Sequence, residues 1–299
     1  QRRQTNFLIQ FRDFFPCEFF FDFYGFSYLR SYNAELDFYR RIHLGVFTFL
    51  LVLVSVASLI SGYINFNIDD SFLITMENFA FFSAFAGFAF KAYYFMFYNH
   101  TRIVKVIEKL DEHFPLHSLD QVHFQVANHL KRLKRISNLE IYIFIFMFLN
   151  FVTYPLQRQL YGHLTNQTIE WESVLRFYYP FDLTQSTIIY WLSFFFQFGM
   201  VTFGTAVVLF TDLFYAELLS VLSMEFDILS QLIAEIDLED EEEAIKELKK
   251  LVDIHQQLIE IAEMIEEIFS KMLLVNLLVV IFVLCIVALL SVVCLKFKI

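Results

Sequence analysis

The sequence predicts an all-α polytopic membrane protein, a helical bundle with about five transmembrane helices and long cytoplasmic helical extensions. Three observations carry that prediction. First, 58% of the 299 residues are hydrophobic and only 18% are charged, against roughly 45–50% and about 25% in soluble domains. Phe alone occurs 41 times, beside 7 Gly and 4 Pro, and the mean hydropathy is +0.54. A soluble fold cannot hide that much apolar surface, and disorder needs the opposite composition. Second, windows nearly free of charge recur at lengths near the ~20 residues that cross a hydrocarbon core. Third, Lys and Arg gather in alternate connecting segments.

The elements follow in order. Residues 1–41 mix aromatics with Arg2, Arg3, Arg12, Arg30, Arg40 and Arg41 and hold no aliphatic core of a signal peptide, so they read as a cytoplasmic N-terminal segment. The first span runs from about Ile42 to Ile64 and the second from about Phe72 to Tyr98, with Glu77 and Lys91 near its ends. The third is short, about Ile141 to Leu156, and the fourth covers about Thr187 to Phe210. Residues 42–214 thus hold transmembrane helices one to four, 215–271 a cytoplasmic helical region, and 272–299 the fifth span.

Orientation comes from the flanks. Arg102, Lys105, Lys109, Lys131, Arg132, Lys134 and Arg135 separate spans two and three, and Lys246, Lys249, Lys250 and Lys271 precede span five. Positive charge favours the inner side, so these segments and the N-terminus are expected on the cytoplasmic side of a multi-pass membrane protein. The sequon Asn166-Gln167-Thr168 then falls in an outer loop, which makes Asn166 a glycosylation candidate. Lys91, about two turns from the inner end of its span, is expected to snorkel to the headgroups.

The region 215–271 is periodic. Leu222, Phe226, Leu229, Ile233 and Ile236 form one apolar stripe. Nine acids, among them Glu239 to Glu243, concentrate between Asp237 and Glu260, so the net charge of −11 describes one segment and not a global field. The acidic run suits a helix N-terminus. A second stripe passes through Leu251, Ile254, Leu258, Ile261, Ile265, Ile268 and Met272. Packing within the chain and packing between subunits explain it equally well, and Leu251, Ile254, Leu258, Ile261 and Ile265 are the candidates for subunit contact.

Enzyme chemistry has no support. There is no Gly-rich phosphate loop, H-E-x-x-H or C-x-x-C, no cofactor motif, and the eight His are scattered, so neither a catalytic nor a metal site is expected. Cys17, Cys285 and Cys294 read as small apolar fillers. No basic face interleaved with aromatics points to nucleic acid.

Spans two, three and four are filled with rings, among which Ser83, Asn150, Thr153, Ser193 and Gln197 are small or polar. Uneven packing of large rings leaves apolar gaps that suit a small hydrophobic ligand. The candidate ligand-binding residues are Phe79, Phe82, Ser83, Phe148, Phe151, Phe194 and Phe198, grouped on helix faces at i, i+3 and i+4 spacings.

Four features together resemble the insect odorant receptors: an inside N-terminus; an outer loop ending in Tyr179-Pro180-Phe181-Asp182 before an aromatic span with Gln197; a long cytoplasmic helical insertion; and, within it, His255-Gln256-Gln257-Leu258 leading to Ile265-Glu266-Glu267-Ile268-Phe269. The resemblance covers nearly the whole chain. It implies a seven-helix subunit of a tetrameric, odorant-gated, non-selective cation channel, assembled with a shared co-receptor, with the odorant in an outer-half pocket formed partly by helices two to four. Five spans are present where the family has seven, so the expectation is a C-terminally truncated member. Gustatory-type receptors, or an unrelated transporter or structural membrane subunit, are the alternatives; the matched Gly/Pro-interrupted helices of transporters do not appear.

Overall fold

The computed structural model describes residues 8–23, 34–67, 72–165, 175, 186–237 and 239–297. Asn166 and Tyr179-Pro180-Phe181-Asp182 lie outside the described residues. Among those described, the regular elements are helical: a 3₁₀ turn at Phe11–Phe14, then α1 (Glu18–Phe23), α2 (Ala34–Asn67), α3 (Phe72–Lys91) continuing as a π-helix over Ala92–Tyr98, α4 (His100–His113), α5 (Ser118–His123), α6 (Val126–Leu164), α7 (Thr187–Ala234) and α8 (Glu241–Phe297). Five of these helical stretches are long and apolar enough to cross a membrane.

The chain divides into two compact units. One gathers Gln1–Arg41, Met96–Glu140 and Phe210–Lys271; the other gathers Ile42–Phe95, Ile141–Leu209 and Met272–Ile299. The three pieces of the first are the segments in which the sequence places its positive clusters. The second holds the charge-poor stretches.

In the first unit, rings of the N-terminal segment form much of the core. Phe14 and Phe21 are fully buried, Phe11 and Phe14 meet Phe114, and Phe20 stacks on Phe210 at 4.3 Å. Gln121 ties this segment down through its backbone: the Ile9 N–H donates to Gln121 Oε1 at 3.0 Å and Gln121 Nε2 donates to the Ile9 carbonyl at 2.7 Å. Buried Cys17 donates its N–H to Glu217 Oε1 at 3.3 Å, and burial followed by the Glu217 charge pushes its thiol well above the ordinary cysteine range. Helix α8 starts inside the acidic run, because Asp240 Oδ1 accepts the N–H groups of Glu242 at 3.1 Å and Glu243 at 3.2 Å, while Glu241 to Glu243 meet the positive dipole end. Arg102–Glu267 and Lys109–Glu260 link α4 to α8 at 2.8 and 3.2 Å.

The second stripe packs inside this unit. Leu251, Leu258, Ile261 and Ile265 are buried, and Ile254 is half-buried. Their apolar surface is already covered by the chain's own helices. The exposed apolar edge of the same helix lies elsewhere, on Ile245, Leu248 and Val252.

In the second unit, small residues let helices approach. A methyl group on Gly62 would sit 3.3 Å from the Phe79 ring, and one on Gly87 would sit 3.1 Å from Val279. Ser55 donates to the Phe82 carbonyl at 3.2 Å, and Phe47 lies 4.9 Å from Phe203. Lys91 does not snorkel. It is 2% exposed, at the point where α3 turns into the π-helix, beside fully buried Ala92 and Phe95. The helix of the third span also continues past Leu156, since α6 runs through Pro155 to Leu164.

Candidate ligand cavity

Three helix faces of the second unit leave a cavity of about 340 Å³ between them. Helix α3 contributes Phe81, Ala84, Phe85 and Phe88, and α6 contributes Phe144, Met147, Phe148 and Phe151. Both sets repeat at i, i+3, i+4 and i+7, the spacing of one helical face. Val201 and Thr205 of α7 and Leu175, between α6 and α7, complete the lining. The volume falls within the usual range for small-molecule sites. Ring contacts brace the walls: Phe81 to Phe151 at 6.1 Å, Phe85 to Phe88 at 5.6 Å edge-on, and Phe148 to Phe198 at 6.0 Å.

The lining is apolar almost throughout. Thr205 carries the one hydroxyl among the lining side chains, and it donates to the Val201 carbonyl of its own helix at 2.6 Å. Leu175 is held by Gln197, which is 1% exposed: the Leu175 N–H donates to Gln197 Oε1 at 2.9 Å, and Gln197 Nε2 donates to the Leu175 carbonyl at 3.4 Å. A buried side-chain amide therefore satisfies a loop backbone as a neighbouring strand would, and fixes the position of the Leu175 side chain.

Of the residues nominated from sequence, Phe148 and Phe151 line the cavity. Phe198 stands behind Phe148, and Phe194 is buried in a cluster with Tyr190, Trp191 and Phe195. The other α3 nominees belong to neighbouring faces. Phe79 abuts Gly62 of α2, the Phe82 backbone accepts from Ser55, and Ser83 donates to its own helix at the Ala80 carbonyl, 2.8 Å away. The polar groups that drew attention to α6 are also turned inward on their helix: Asn150 donates to the Phe146 carbonyl and Thr153 to that of Leu149. Sequence reasoning missed Phe81, Ala84, Phe85, Phe88, Phe144, Met147, Leu175, Val201 and Thr205. On α3 and α6 these residues carry a matched i, i+3, i+4, i+7 pattern, a spacing that Phe79, Phe82 and Ser83 share in part.

A family model described as 7tm Odorant receptor matches residues 71–294. The chain belongs to the odorant receptor family. That is a family of multi-pass membrane receptors, and it displaces the gustatory and transporter alternatives. The Drosophila melanogaster protein that carries the provisional name odorant receptor 92a is 24% identical over 206 residues, covering 67% of this chain and 50% of that protein. The chain thus spans about half the length of that curated relative. The olfactory receptor OR5 of Machilis hrabei shares the fold, with a TM-score of 0.68 at 14% identity over 92% of this chain and 72% of that one. The same receptor in complex with eugenol matches with a TM-score of 0.66 at 14% identity, over 92% and 71%. The all-α fold and the odorant-receptor likeness expected from sequence both stand.

Proposed function

We propose that this chain is the odorant-recognising part of a ligand-gated, non-selective cation channel subunit, acting with an odorant co-receptor in a heterotetramer at the plasma membrane. The observation that carries the reading is the apolar cavity between α3, α6 and α7, of a size for one small volatile and with its loop wall pinned by Gln197. An odorant-receptor relative has been solved with eugenol, a small aromatic compound, which supports a ligand of that class. Odorant binds here by apolar contact and shape, without a charged anchor. The gathering of the arginine-rich N-terminal piece, the basic connection before α6 and the acidic end of α7 and start of α8 into one unit supports a common, cytoplasmic side for all three. On that reading Asn166 faces outward and is glycosylated, and residues 42–214 hold the ligand-binding spans. The co-receptor docks on the cytoplasmic helices; the stripe Leu251, Ile254, Leu258, Ile261 and Ile265 supports that face from within, and Ile245, Leu248 and Val252 offer the exposed contact.

The test is co-expression of the receptor carrying this chain with its co-receptor, and recording of currents evoked by a panel of small apolar volatiles. Currents that appear with a volatile and shrink when Phe144 or Phe148 is replaced by Ala support the reading. A working receptor whose dose–response ignores both substitutions overturns it.

A further inference from the structure

We propose that Gly204 sets the size limit of the ligand site by leaving room for the Phe88 ring. The inference rests on the reading of the cavity as the ligand site and adds the residue that fixes its dimensions.

The geometry is local and one-sided. A methyl group built on Gly204 of α7 would overlap the Phe88 ring at Cδ2, with Cε2 at 3.1 Å and Cγ at 3.2 Å. These ring atoms are not a flexible chain end, so the whole aromatic plane must move to admit even an Ala. Phe88 is already in edge-on contact with Phe85 at 5.6 Å, and it lines the cavity, which offers a displaced ring room to move into. The flanking Val201 and Thr205 lie three residues before and one after Gly204, and both line that same cavity. Any side chain at position 204 therefore drives Phe88 into the space where a ligand would sit. Gly199, on the same helix, provides the contrast: a methyl group there meets nothing within 4 Å. Gly is also a poor helix residue, so Gly→Ala at either site favours the helix itself, and loss of binding at one of them cannot come from that term.

The experiment uses the full chain in lipid nanodiscs and the benzene-sized photoprobe 3-trifluoromethyl-3-phenyldiazirine. Labelling of the Phe144–Phe151 segment is mapped by mass spectrometry. Competitors are alkylbenzenes from toluene to hexylbenzene, each at the same fraction of its water solubility, so that partition into lipid is matched. The longest member that still protects the segment defines a cut-off. For Gly204→Ala the cut-off should shorten while toluene continues to protect, with protection by a chain one methylene too long falling about 10-fold or more. Gly199→Ala should keep the wild-type cut-off, and Gly204→Ala combined with Phe88→Leu should restore it. An unchanged cut-off in Gly204→Ala overturns the proposal. Should that variant fail to fold, Phe88→Leu alone decides: a longer cut-off supports the proposal and an unchanged one overturns it. If no member protects the wild-type segment, the cavity is not the ligand site, and the functional reading fails first, taking this inference with it.

Discussion

Gln197 and Leu175 are joined by two hydrogen bonds that lock a helix side chain to a loop backbone, one of 2.9 Å and one of 3.4 Å, and both residues are almost wholly buried. Replacing Gln197 with Leu keeps the volume but removes both of its bonds to the Leu175 backbone, at a cost of about 1–3 kcal/mol. The expected result is a lower thermal midpoint and weaker ligand protection of the cavity, both measured on the purified chain. Equal midpoints would show that the loop wall is held by other contacts.

The cavity walls separate two sets of phenylalanines. Phe85→Ala and Phe144→Ala should each weaken an apolar ligand by roughly 1–3 kcal/mol, about 5- to 150-fold. Phe79→Ala removes an equally large ring that packs on Gly62 and should leave ligand affinity within about 2-fold once surface expression is matched. Dose–response curves of the three variants in the co-expressed receptor check this.

Glu225 is 4% exposed in the first unit, on the part of α7 beyond the span, and burial pushes its carboxyl up to about 8. Its folded value lies above its unfolded one. The stability it permits is therefore fully present below the unfolded pKa and declines as pH rises from about 4.5 to about 8, by up to about 5 kcal/mol. Glu225→Gln should flatten that stretch of the stability–pH profile and leave the variant more stable than wild type at pH 8. Thermal midpoints measured from pH 5 to pH 8.5 give the comparison.

Helix α8 presents a buried and an exposed apolar edge, and the two should behave differently. Leu258→Asp places a charge in the packed core and should unfold the first unit, with a cost of several kcal/mol. Changing Ile245, Leu248 and Val252 together to Asn should leave the thermal midpoint nearly unchanged while reducing co-purification with the co-receptor. Undiminished co-purification of a stable triple variant would place the assembly contact on another face.

The topology has its own check. An epitope placed before Gln1 should bind antibody only after permeabilisation, and peptide N-glycosidase should shift the mobility of the wild-type chain but not of Asn166→Gln. Labelling of intact cells would reverse the orientation.

The long helices were legible because their spans are nearly charge-free and their ends carry Arg, Lys or an acidic cap, as Asp240 shows at the start of α8. The cavity face was not. On α3, Phe79, Phe81, Phe82, Phe85 and Phe88 cover about half of the helix circumference without a break, so hydrophobicity cannot distinguish the face toward α2 from the face toward the cavity. Spacing alone fits both. What separates them is contact with Gly62 on one side and with α6 on the other, which is tertiary information. The stripe of α8 was ambiguous in a related way: period 3.6 reveals that a face is covered, and says nothing of whether the cover comes from the same chain. Lys91 was read by analogy with lysines at lipid-facing helix ends, whereas it and its neighbours Ala92, Tyr94 and Phe95 are buried.

Thr205 keeps its hydroxyl proton on its own helix, so the cavity has almost nothing to offer a visiting alcohol or acid. Such a molecule gives up most of its water and finds the Thr205 oxygen as the one side-chain acceptor, at a cost of up to roughly 1–3 kcal/mol on protein-based scales, while its deoxygenated counterpart of equal size gives up far less. Among compounds that fit, rank order then follows lipophilicity. Adding one hydroxyl to a compound that fits would then lower its affinity by about 5- to 150-fold while hardly changing its size.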